Sequence, residues 1–181
     1  MNPLSMEHTV FGQLEYNQDT HCWNCELPIP ACLARAGGQR VFYLSIVAPD
    51  LEPPTDADVR IWTELRDRPA EFASFLERAI FLAYQRDLPH DQSVTAESMM
   101  GAEALARAVP DLTRAELVWQ YVGLHDNLIK PVADGELQLV IALTAAWRSE
   151  WGMDLVFRTG QLGIGEGGAT WDELMHFELL A

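Results

Sequence analysis

Positive charge is what this chain has least of: 12 Lys and Arg stand against 27 Asp and Glu, and Lys130 is the single lysine. That shortage argues against nucleic acid as a partner, because affinity for phosphates comes from clustered Lys and Arg that displace counterions. Long apolar runs are also missing. None approaches the roughly 18 residues of a membrane-spanning helix, so no membrane partner is expected. The opening M-N-P-L-S-M-E-H has neither the basic region nor the apolar stretch of a secretory signal. A cytoplasmic location is the expectation. Cysteine is scarce, at three residues, and C-x-x-C occurs once. The nucleophile elbow G-x-S-x-G is absent, which leaves Ser45 and Ser149 without the context of a hydrolase serine. The stretch G-I-G-E-G-G at 163–168 lacks the Lys-Ser/Thr ending of a phosphate loop. It reads as a strand exit followed by a flexible turn.

What is present fits one domain. The 181 residues, 49% hydrophobic and 22% charged, are ordinary globular values. Six tryptophans supply core or interface material. The net charge of −15 is divided as −4 over residues 1–54, −4 over 55–110 and −7 over 111–181. Such acidity keeps a protein soluble and also attracts a basic partner over distance.

Three regions follow from periodicity. Val10–Tyr16, His21–Ile29 and Arg40–Ala48 are β-rich runs separated by the turn compositions Asn17-Gln18-Asp19 and Ala36-Gly37-Gly38. An antiparallel meander is expected there. Pro53-Pro54 then ends the third run, and Thr55 is placed to cap a helix with Asp56 and Asp58 in its first turn. Phe72, Phe75, Leu76, Ala79, Ile80, Ala83 and Tyr84 recur at helical spacing after Pro69, and Leu88-Pro89 is the expected end of that second helix. A third helix is read over 96–108, interrupted by Gly101. Strands return at Leu117–Leu124, Leu137–Leu143, Met153–Phe157 and Gln161–Ile164, the last two as a hairpin. Trp171–Leu180 reads as a terminal helix or strand. The expected fold is α+β: an antiparallel sheet of six or seven strands, with two or three helices inserted after the third strand and packed on one face.

Few residues carry chemistry. Cys22, Cys25 and Cys32 beside His21 are the metal candidate, since four thiolate and imidazole ligands suit zinc. Against it, strand alternation sends Cys22 and Cys25 to opposite faces, and no metal or cofactor is expected. An enzyme reading makes His125 a general base oriented by Asp126, Glu150 or Asp154. Trp147 and Trp151 are four residues apart across a turn. One of them would cap the core while the other, with Glu150 and Asp154, meets a partner.

The segments F-G-Q-L-E-Y at 11–16, R-V-F-Y-L-S-I-V-A at 40–48, A-I-F-L-A-Y at 79–84 and W-R-S-E-W-G-M-D-L-V-F-R-T-G-Q-L from Trp147 resemble an uncharacterised bacterial family, a domain of unknown function. The resemblance spans about residues 10–166, and its W-x-x-E-x-G pattern falls on Trp147, Glu150 and Gly152. Relatives of similar build occur among accessory and immunity-type proteins near polymorphic toxin loci. The resemblance therefore implies binding to a protein, here a basic one, in preference to catalysis. A small hydrolase using His125 and a binding module built on Cys22, Cys25 and Cys32 are the competing readings.

Overall fold

The computed structural model describes residues 4–94, 111–132, 135–158 and 160–178, with backbone alone for 88–94, 148–151 and 178. Within it, β1 (Ser5–His8), β2 (Gly12–Asn17), β3 (Cys22–Leu27) and β4 (Phe42–Val47) form an antiparallel meander. Two helices follow, α1 (Asp56–Asp67) and α2 (Pro69–Val94). A second meander then runs through β5 (Val122–Pro131), β6 (Leu137–Ala145), β7 (Arg148–Arg158), β8 (Gln161–Glu166) and β9 (Met175–Glu178). All nine strands join in one sheet in sequential order. The seam between the meanders is parallel, pairing Leu44, Ser45 and Ile46 with Asn127, Leu128 and Ile129.

The two faces of the sheet differ because side chains alternate along each strand. One face is buried: Leu14, Trp23, Phe42, Leu44, Ile46, Ile129, Leu139, Ile141, Leu155 and Ile164 belong to the hydrophobic core. The helices lie on this inner face, joined to it by aromatic pairs. Trp62 of α1 meets Phe42 at 5.1 Å between ring centroids, and Phe72, Phe75 and Tyr84 of α2 meet Phe157, Phe177 and Trp147 at 5.3–5.5 Å. Burying each such side chain contributes about 1.5–3 kcal/mol, and a well-set aromatic pair about 0.5–1.5 kcal/mol more. The caps obey the same local rules. Thr55 and Asp58 exchange side-chain and backbone hydrogen bonds in a capping box that opens α1.

Four expectations need correction. The class is α+β, but the sheet has nine strands and is mixed, and the helices enter after the fourth strand. The run read as the third strand is β4, because Ser5-Met6-Glu7-His8 is too short and polar to show an alternating pattern. The wholly antiparallel arrangement fails at the seam, where the helical insert carries the chain across so that β5 runs beside β4 in the same direction. Second, much of Leu117–Leu124 is a 3₁₀ turn (Ala115–Gln120) and not a strand. Val118 and Trp119 are both buried there, and the Trp119 indole donates to Glu77 Oε2 of α2 at 2.9 Å. Third, α2 continues past Leu88-Pro89 to Val94. Fourth, β8 runs past Ile164 to Glu166, so Gly165 is still strand with Leu174 packed against it and against Gly163, and the turn read from the Gly-rich stretch falls later, at Gly167-Gly168. The helix read over 96–108 lies outside the described residues.

Candidate functional site

Among the described residues the outer face of the sheet carries no helix. Over the second meander the chain closes part of this face itself. A second capping box, Thr170 with Glu173, opens a 3₁₀ turn at Trp171–Glu173. This turn delivers Leu174 onto β8, where a Cβ at Gly163 or Gly165 would stand 2.6 Å from a Leu174 methyl carbon. Glycine is required by that close approach. The guanidinium of Arg158 lies 4.3 Å from the centre of the Trp171 ring, a cation–π contact that fastens the turn to β7.

Over the first meander the outer face stays open. The register places Glu15 beside Asn24 and Ser45 in one row, and Glu26 beside Tyr43 in the next. Ser45 Oγ donates to Asn24 Oδ1 at 2.8 Å, which holds the middle of the first row. A groove of about 690 Å³ runs over these strands, lined by Gln13, Glu15, Asn17, Asn24, Glu26 and Tyr43 among others. Among the described residues neither glutamate has a cationic partner, and the Tyr43 side is 42% exposed despite its aromatic ring. Carboxylates, carboxamides and a bare phenol ring favour a ligand that is cationic and rich in donors.

The residues singled out from sequence fall elsewhere. Trp147 is 0% exposed, edge-on to Tyr84, and so has no surface to offer a partner. The W-x-x-E-x-G pattern is one of fold at both ends. Gly152 has φ +63°, and a Cβ there would lie 2.5 Å from the Leu143 carbonyl oxygen, at the irregularity between β6 and β7. The Glu150 and Trp151 side chains lie outside the described ones. Asp154 pairs with Ala142 and Gly165 on the outer face. Burial pushes its carboxyl above the usual aspartate range, against the opposing pull of the Gly168 N–H, which donates at 2.9 Å, and of Lys130.

His125 and Asp126 occupy a bulge of β5, two residues facing one on β6. Their side chains are 60% and 75% exposed, with Nδ1 and Oδ2 3.6 Å apart, and neither lines the groove. The neighbouring Asn127 is the structural member of this bulge. It is 1% exposed, and its amide donates to the carbonyls of Tyr43 and His125. The cysteines are buried and free. Burial pushes the Cys25 and Cys32 thiols up to about 12, so both stay protonated at neutral pH. Among the described residues no three His, Cys, Asp or Glu side chains gather at metal-binding distance. No helix among the described residues is long and apolar enough to cross a membrane.

The open groove was missed by sequence reasoning because its residues come from three strands and no run of them is distinctive. The alternation of Gln13, Glu15 and Asn17 with buried Leu14 and Tyr16 was the available signal. No curated protein and no solved structure matches the chain. A family model does match residues 10–168, a stretch that contains both helices, the seam and the groove, and leaves β1 and β9 outside it. The chain thus belongs to the family described as a domain of unknown function, DUF6985.

Proposed function

We propose that the protein is a cytoplasmic protein-binding protein, of the accessory or immunity type, that receives a basic partner on the open outer face of β2–β4. The observation that carries this reading is the groove of about 690 Å³ in which Glu15 and Glu26, without a cationic partner among the described residues, stand beside an exposed tyrosine. The net charge of −15 adds attraction at a distance. Screening sets the dependence on salt: at physiological ionic strength charges farther apart than about 8 Å are largely shielded, so association should slow as salt rises.

The test is capture by the tagged chain from its native lysate at low and high salt, beside a Glu15→Gln/Glu26→Gln variant. One stoichiometric basic protein, released by salt and lost with the variant, is the expected result. A partner held equally by the variant would move the interface off this groove. A chain that comes through clean at both salts would end the protein-binding reading.

A further inference from the structure

We infer that the groove over β2–β4 seats an arginine side chain borne on an extended segment of the partner, an inference that rests on the binding role proposed above. Glu15 and Glu26 stand diagonally across β2 and β3, because Asn24 is the direct partner of Glu15 and Glu26 lies two residues further along. Such diagonal positions are about 7–8 Å apart, a gap that two flexible glutamates close around a single cation. Tyr43 is in register with Glu26, so the ring stands next to one carboxylate. Its 42% exposure leaves ring surface open within the groove.

Guanidinium matches this arrangement better than ammonium does. It is planar, stacks on aromatic rings, is weakly hydrated, and presents five donors in a fork that meets a carboxylate with two parallel hydrogen bonds. An ammonium would satisfy the charge but gives up the fork and most of the stacking. A divalent cation would find Glu15 and Glu26 but no third acidic, His or Cys ligand, since no such trio occurs among the described residues. The groove is lined from β2, β3 and β4 together, which suits a segment of chain laid across the strands.

Hexa-arginine and hexa-lysine peptides, equal in charge and fluorescently labelled, would be titrated against the full chain at physiological ionic strength, with calcium alone as a third probe. The expected result is binding of the arginine peptide about fivefold to tenfold tighter than the lysine peptide. Tyr43→Leu should erase that preference, and Glu15→Gln/Glu26→Gln should weaken both peptides. Asp111→Asn/Asp172→Asn removes the same charge away from the groove and should change neither. Equal affinities for the two peptides, equal weakening by both double variants, or calcium binding that the Glu15→Gln/Glu26→Gln variant abolishes would each overturn the arginine seat. The two proposals fail separately. A captured basic partner with no arginine preference leaves binding and removes the seat; an arginine preference without any captured partner does the reverse.

Discussion

The two meanders, one of strands of 4–6 residues and the other with three strands of 9–11, close their surfaces in opposite ways. In the second, α2 supplies Phe72, Phe75 and Tyr84 to the inner face, and the Trp171–Leu174 segment is laid over the outer face of β8. In the first, much of the inner cover is a loop after β4 held by hydrogen bonds. Tyr16 donates to the Ala48 carbonyl at 2.9 Å, and the Trp23 indole to the Glu52 carbonyl at 2.8 Å. Its outer face has no cover from the described chain. Both meanders bury apolar side chains on the inner face, but on the outer face the described chain covers part of the second and leaves the polar surface of the first exposed, where the proposed partner would sit.

Four substitutions would break or sharpen that contrast. The largest effect belongs to Phe72→Ala, which empties the contact with Phe157 and should cost about 3–5 kcal/mol. Its counterpart in the first meander, Tyr16→Phe, removes one buried hydrogen bond and should cost only about 0.5–1.5 kcal/mol. Chemical denaturation of both variants measures the pair. Similar losses would show that the loop carries as much as the helix does, and the contrast between inner faces would fall.

Gly163→Ala comes next. The added methyl would press on Leu174 and Trp171, and overpacking of this kind costs about 1–3 kcal/mol. Thermal melting with tryptophan fluorescence reports both the loss and the displacement of Trp171. No change in either would mean that the segment lies loosely and that the outer faces are alike. The smallest effect is that of Asp154→Asn. Burial raises the folded carboxyl above its unfolded value, so the ionised form is disfavoured in the fold and stability falls as pH rises through that interval. The variant should therefore melt slightly higher than the parent at pH 7. That gain should vanish once the pH drops below the ordinary aspartate range. A gain that persists in acid would trace to packing and not to the charge.

The legible parts of the fold were those with strong local periodicity or a sharp cap. The stripe from Phe72 to Tyr84, the Thr55 cap and the Leu137–Leu143 run all fall in the elements their patterns announce. β1 was invisible since a four-residue edge strand needs no apolar alternation to pair with β2. Leu117–Tyr121 misled because alternating large residues suit a strand, while the turn there is held by packing on α2 and the bond to Glu77. Gly165 looked like the start of a flexible exit and is instead, with Gly163 of the expected strand, a vacancy that Leu174 fills, a residue further along the chain than any local pattern reaches. For the site, Trp147 drew attention by size alone, though size is also what a core needs. Glu15, Glu26 and Tyr43 gain meaning only when three strands are laid side by side.

The parallel seam has a kinetic consequence. Every other strand pair in the sheet joins neighbours in the chain, so each meander can form through local contacts with little loop to close. The β4–β5 pairing is different: it requires the whole helical insert to fold back first, and contacts that enclose long loops are slow to form. Asn127 grips the Tyr43 carbonyl across this seam from within β5. The groove on β2–β4 thus belongs to a unit whose strand pairs close far shorter loops than the seam does, so they can assemble without waiting for it.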